Sequence, residues 1–484
     1  MIWDTLTRRE LSRLAFATIC AIVLCSCASI RNEPLNIPLA AAPLGRLTLP
    51  QSERAGDDDV LVGLAFSGGG TRAAAFSYGV LSALDGIEVV SGGRRVSLFD
   101  DIDVVSGVSG GSVTAAYFGL KGRAALADFR ERFLLRDAED TLRLPFAPAS
   151  VVRAYEGGVN DSQQFPQWLD ANLFDGATFA DLDHAGRPLV LINASDIYNR
   201  TPFVFSDSTF RAICSDLKSY PISDAVAASA AVPVVFAPII VESYGDRCPA
   251  PQKWFLDAQT NPAASPLLKG LAGAFRRYRD GSVRYIKLLD GGLVDNYGLS
   301  GVSIARLSAD TPYGPLTPQR AIAIQRLLFL VVDAGRGPSG NWAKSLEGPT
   351  APEIIQAAAD TAIDAGARSS FTAFNEIMSQ WRDAIIRWRC GLSAAEREKY
   401  AVGAKWDCRD LKFFVGRIGF EQLGFQRALT LSAIPTRFSL SREDVKTLIA
   451  AGEDALRESA TLRAFVGSVA LPNFRTRMSR SPLK

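Results

Sequence analysis

Twice within the first 120 residues a largely apolar stretch runs into clustered glycines and then into a helical pattern, and this repeat fixes the fold class. Val60-Leu61-Val62-Gly63-Leu64-Ala65-Phe66 carries no polar side chain, as a strand buried on both faces requires. Ser67-Gly68-Gly69-Gly70 breaks the run, and residues 71–84 read as a helix. The unit recurs as a strand over 102–106, a glycine turn and a helix over 112–120. Further strands are expected at 188–193, 283–289 and 327–332. Strands alternating with helices predict a three-layer α/β/α architecture with a largely parallel central sheet. In such sheets ligands bind beyond the carboxyl ends of the strands, where the glycine clusters fall.

Beyond about Gly335 the pattern turns helical. Phe371, Phe374, Met378, Trp381, Ile385 and Trp388 recur at three- and four-residue spacing, one apolar stripe on one helix. Such a stripe is expected to pack on the core; a lid or lipid-contacting helix is the other reading. The organisation expected is therefore a catalytic body over 60–336 and a mostly helical extension over 337–484 packed upon it. The 53 basic and 51 acidic residues leave a net charge of +2, so no general basic field invites nucleic acid. A single histidine, His184, makes a zinc site improbable, and no cofactor motif is complete.

At the N-terminus Arg8, Arg9 and Arg13 precede an apolar run over 14–25, the pattern of a bacterial export signal, here residues 1–26. Leu24-Cys25-Ser26-Cys27 resembles the lipobox of bacterial lipoproteins, which implies cleavage before Cys27 and lipidation of that residue. Ala28 behind it leans the resemblance toward the outer membrane. The competing reading is an uncleaved helix anchored in the inner membrane. Residues 27–59 contain Pro34, Pro38, Pro43 and Pro50 and are expected to form an extended tether rather than packed structure.

Beyond the signal and Cys27 stand four cysteines, Cys214, Cys248, Cys390 and Cys408. In an oxidising compartment they suggest two disulfides among three possible connectivities, and the sequence-near pairs Cys214–Cys248 and Cys390–Cys408 are favoured. Four unpaired buried thiols are the alternative.

Three motifs carry chemistry. Gly107-Val108-Ser109-Gly110-Gly111 has the spacing of a nucleophile elbow, in which Gly107 and Gly111 let strand and helix approach closely. The serine then sits at a helix N-terminus, where free N–H groups favour developing negative charge. Gly68-Gly69-Gly70-Thr71-Arg72 can turn successive N–H groups toward one point as an oxyanion hole. A phosphate loop fits less well, because no Walker lysine follows and Ala73 stands where a third glycine is needed. Asp290-Gly291-Gly292 ends an apolar run and offers a carboxylate that could approach the serine, with Asp295 as a second candidate. An ordinary Asp-Gly turn is the plain reading of that motif alone.

These motifs, in this order, resemble the patatin-like phospholipase family. The resemblance implies Ser109 as nucleophile and Asp290 as its partner in a dyad without histidine. It implies an oxyanion hole at Gly68, Gly69 and Gly70, buttressed by Arg72. Ala228-Ser229-Ala230-Ala231-Val232-Pro233 with Phe236, and Ile434-Pro435-Thr436 near the C-terminus, are similar to further family segments. Asp295-Asn296-Tyr297 departs from the asparagine-proline stretch of many members. The activity implied is hydrolysis of lipid acyl esters through an acyl-enzyme, at a membrane surface reached by the N-terminal anchor. Two other readings stand beside it: a Ser–His–acid triad using His184, and a non-catalytic envelope scaffold that keeps the fold.

Overall fold

The structure is a computed structural model that describes residues 33–40, 59–140, 142, 157–184, 186–245, 248, 250–337 and 341–469. The expected export signal over 1–26, the expected lipidation at Cys27, most of the expected tether over 27–59 and residues 475–484 lie outside the described residues.

The core is a mixed, mostly parallel sheet surrounded by helices. Its strands are β1 (Val60–Phe66), β4 (Ile102–Val108), β5 (Leu189–Asp196), β6 (Thr201–Phe205), β7 (Ile239–Glu242), β8 (Tyr285–Asp290), β9 (Arg326–Asp333) and β10 (Lys412–Gly419). A separate hairpin, β2 (Glu88–Ser91) with β3 (Arg94–Ser97), stands apart. The strand order is β10-β9-β1-β4-β5-β8-β7, with β6 folded back on β5. The five strands from β10 to β5 are parallel. β6, β7 and β8 break the expected pattern by pairing antiparallel. β1 is buried at every residue, as its uninterrupted apolar sequence requires.

The antiparallel sense of β8 sets the position of its last residue. Val108 at the end of β4 is paired with Asn193, and the next residue of β5, Ala194, is paired with Asp290. β8 thus enters from the carboxyl edge of the sheet and stops level with the residue after Val108, which is Ser109. The two motifs meet across one intervening strand.

The extension beyond residue 336 is not only helical. β10 lies within it and joins the main sheet parallel to β9 over eight residues. Lys412, Arg417 and two glycines interrupt its apolar pattern, which is tolerable at a sheet edge and hides the strand from periodicity. The first helix of the body, α1 (Gly70–Asp85), packs against the extension helix Arg442–Arg457. Gly79 faces the backbone of Ile449 and Gly452 faces the carbonyl of Phe76, so the two helices approach without side chains between them. The stripe helix, Ala351–Cys390, buries Phe374, Met378, Trp381 and Ile385, with Phe374 against Phe329 of β9. It is a core-packing helix at these positions.

The structure joins Cys214 to Cys248 and Cys390 to Cys408, with Cα separations of 4.8 and 5.1 Å. It also corrects the tether, because residues 33–40 are fastened to the body. Asn36 is 3 % exposed; its amide donates to the Glu242 carbonyl (2.8 Å) and accepts the Glu242 N–H (2.8 Å). One side chain thereby satisfies both backbone groups of a residue on the edge strand β7. The Leu39 and Asp216 N–H groups close the contact on the carbonyls of Cys214 and Ile37. The four prolines conceal this, since proline marks a linker and an edge-hugging strap alike.

Candidate active site

Ser109 sits between β4 and the helix α2 (Gly110–Lys121) with φ 51° and ψ −126°. A non-glycine residue there stores strain of roughly 1–3 kcal/mol, found where the surroundings enforce it. The enforcing contacts are visible. The Ser109 N–H donates to the Ser229 hydroxyl (2.9 Å), which donates to the Asn193 carbonyl (2.6 Å). The Ser109 carbonyl accepts from the Ser112 hydroxyl (2.6 Å) and the Ser112 N–H (2.9 Å). Gly107 and Gly111 do what the elbow needs. A Cβ on Gly111 would lie 2.5 Å from the Phe66 and Ser67 carbonyls, and one on Gly107 2.6 Å from the Gly111 carbonyl.

The Asp290 carboxylate accepts a hydrogen bond from the Gly292 N–H (2.8 Å), and the Ser109 side chain lies near enough to pull its pKa down. Its backbone is pinned by the Asp290 N–H on the Ala231 carbonyl (2.9 Å) and by the Ser195 hydroxyl on the Asp290 carbonyl (2.9 Å). The residue keeps a partial opening to solvent, but packed backbone encloses its carboxyl. That desolvation pushes its pKa up to about 6, against the opposing pull of the Gly292 and Ser109 donors.

The glycine loop fits in part. The Gly68 N–H is already taken by the Asn296 carbonyl (3.1 Å), so Gly68 is not an open donor. The N–H groups of Gly69, Gly70 and Gly110 donate to nothing among the described residues. Gly69 (φ 141°) and Gly70 (φ 60°) hold conformations that only glycine adopts readily. Arg72 lies beneath the loop, 1 % exposed, donating to the carbonyls of Ala334 (3.0 Å) and Ile434 (2.7 Å). Burial, reinforced by nearby Arg336, lowers its pKa to about 10, so it stays charged at neutral pH. It braces the loop and donates to carbonyls behind it. The Ile434-Pro435-Thr436 segment is thus tied to the site, and the Thr71 N–H bonds the Arg437 carbonyl just beyond it (2.7 Å).

His184 is exposed in the turn before β5. Because Val104 pairs with Leu189 and Val108 with Asn193 in parallel register, that turn lies at the amino edge of the sheet, the end opposite Ser109. Asp295 is buried and accepts the Ser300 N–H (2.6 Å) at the start of the next helix, a structural task. Among the described residues no group of His, Cys, Asp or Glu is placed to hold a metal ion. A small cavity lined by Arg211, Trp254 and Phe275 contains none of these residues.

Three contributors escaped motif reading. Ser229 lies in a recognised block, but its hydroxyl gave no sign of gripping the elbow. Asn193 donates to the Ser106 hydroxyl (2.8 Å) and the Gly107 carbonyl (3.0 Å), and an asparagine ending an apolar strand is the only hint. The Asn296 amide oxygen packs against Gly68 and Gly292, wedged between the two glycine motifs.

A strained serine on an α/β elbow, facing a buried carboxylate and open N–H groups, defines an acyl-transfer type of site. Residues 64–302 match the family model described as Patatin: Patatin-like phospholipase, and the chain therefore carries a patatin-like phospholipase domain. Among solved structures it is similar to the human GIVD cytosolic phospholipase A2 (12 % identity, TM-score 0.36, 84 % of this chain and 63 % of that one). It is also similar to VipD from Legionella pneumophila (12 % identity, TM-score 0.31, 91 % and 73 %). The chain spans about three fifths of the human phospholipase structure. No curated protein matches it.

Proposed function

We propose that the chain is a serine hydrolase that cleaves carboxylic acyl esters of lipids with a Ser109–Asp290 dyad. The observation that carries this reading is the pairing that sets Asp290 level with Ser109 across β5, with the carboxylate enclosed so that its pKa is raised to about 6. An ordinary carboxylate, with a pKa of ~3.9, is a poor base; one near 6 is ionised at neutral pH yet holds a proton far better.

Asp290 takes the hydroxyl proton as Ser109 Oγ attacks the acyl carbonyl. The Gly69, Gly70 and Gly110 N–H groups face the developing oxyanion, with the Arg72 charge and the α2 N-terminus behind them. Collapse of the tetrahedral adduct breaks the ester C–O bond, and Asp290 returns its proton to the departing alkoxide. Water, deprotonated by the same carboxylate, then hydrolyses the acyl-enzyme. An alcohol leaves with less proton assistance than an amine, which favours esters over peptides.

The Cys27 motif supports lipidation and attachment to the cell envelope, with the outer membrane favoured. Ser109→Ala, assayed on phospholipids and p-nitrophenyl acyl esters, tests the hydrolase reading. Turnover and fluorophosphonate labelling should both vanish; turnover kept at the wild-type level refutes it. Mass analysis of products from a mixed lipid extract would then name the substrate.

A further inference from the structure

From the strap over 33–40 and the apolar residues around it, we propose that the β7–β8 corner of the sheet is a bilayer-docking face. Leu35 and Ile37 flank the buried Asn36 and are both more than half exposed. Asn36 grips Glu242, whose strand partner is Tyr285, itself exposed. Two residues further along β8 the exposed Lys287 offers its carbonyl to the N–H of Ile197. Ile197 and Tyr198 are also exposed, Tyr198 by 66 %. These contacts bring the exposed aliphatic and tyrosine residues onto adjoining segments at one corner of the sheet, with the exposed Lys287 among them. Glu242 beside the strap is bridged by Arg284 at 2.9 Å. Aliphatic residues with tyrosine and an exposed lysine suit the interface of a membrane bearing anionic headgroups.

The length of chain outside the structure selects the occupant. Cys27 lies nine residues before Asn36, a reach of ~30 Å when fully extended. A lipid on Cys27 therefore cannot leave the domain to tumble on a long leash, because the leash ends at this corner. The orientation is also productive. β8 runs inward from the carboxyl edge of the sheet, from Tyr285 at the corner to Asp290 in the site, ~17 Å along the strand. A bilayer on the corner meets the edge of the sheet at which Ser109 opens.

This inference rests on the proposed lipid anchor and ester hydrolysis, and the test separates them. The full-length protein is given anionic phosphatidylglycerol vesicles and, separately, the soluble ester p-nitrophenyl butyrate. In Tyr198→Ser/Tyr285→Ser/Lys287→Glu, three exposed positions outside the site, vesicle phospholipid hydrolysis should fall about tenfold while soluble-ester turnover stays within about twofold. Vesicle hydrolysis within about twofold of wild type overturns the docking face, whatever the soluble activity. Should the wild type turn over neither substrate, the hydrolase reading fails on its own, and hydrogen exchange of the wild type decides docking. Amides of 196–200 and 285–288 that slow on vesicles support it; unchanged exchange refutes it.

Discussion

The hydroxyl of Ser229 links the Ser109 N–H to the carbonyl of Asn193, with bonds of 2.9 and 2.6 Å. One buried group thus holds the strained elbow against β5, the strand that separates nucleophile from carboxylate. Ser229→Ala leaves the Ser109 N–H and the Asn193 carbonyl without this partner, at a cost of about 1–3 kcal/mol. The expected result is a kcat lower by about tenfold or more with KM nearly unchanged, measured on a soluble ester.

Asp290 must be ionised to accept a proton. With its pKa raised to about 6 by burial, kcat/KM should climb below that pH and level off above it. His184→Ala should leave the profile and its plateau unchanged. A profile that shifts with His184 would instead point to imidazole catalysis.

The same shift has a sign for stability. A carboxyl whose folded pKa exceeds its unfolded value binds protons more tightly when folded. It stabilises the fold fully below about 3.8 and loses that contribution as pH rises through about 6. At neutral pH the ionised carboxylate is therefore a burden of about 2–3 kcal/mol, the pull of the Gly292 and Ser109 donors being already included. Asp290→Asn should be inactive yet melt at a higher temperature than wild type at pH 7.5, with the gap closing near pH 4. Thermal melts across that range check it.

Gly70 combines φ 60° with a backbone neighbour, Arg437, that leaves no room for a Cβ. Gly70→Ala should displace the loop and misalign its donors. The loss of one oxyanion donor corresponds to about 10²–10³ in kcat. Steady-state kinetics on a short-chain ester would show this as a kcat effect, with folding verified by circular dichroism.

Arg72 spans two carbonyls, Ala334 and Ile434, which a single ammonium cannot reach together. Arg72→Lys should destabilise the protein by about 2 kcal/mol through the lost charged hydrogen bond. It should also lower kcat more than it raises KM. Denaturant unfolding and ester kinetics on one preparation test both parts.

The serine and the aspartate were legible because each motif couples a residue type to a glycine pattern and an apolar strand. What brings them together was not. The antiparallel sense of β8 is a property of pairing, and the run ending at Leu289 would read identically in either direction. Gly68 looked equivalent to Gly69 and Gly70 until the Asn296 carbonyl was seen to occupy its N–H. β10 was hidden because an edge strand tolerates Lys412 and Arg417, which erase the apolar alternation. The strap was missed because a single side chain, Asn36, does the fastening. Long-range contacts between polar side chains and backbone leave no periodic trace.

The contact between Arg72 and Ile434 also orders events during synthesis. A nascent chain that has extruded the nucleophile and its carboxylate still lacks the carbonyl brace, the outermost sheet strand and the helix that covers α1. All three lie between residues 412 and 457. The glycine loop therefore gains its carbonyl brace only once residue 434 has been made, well over a hundred residues after Asp290.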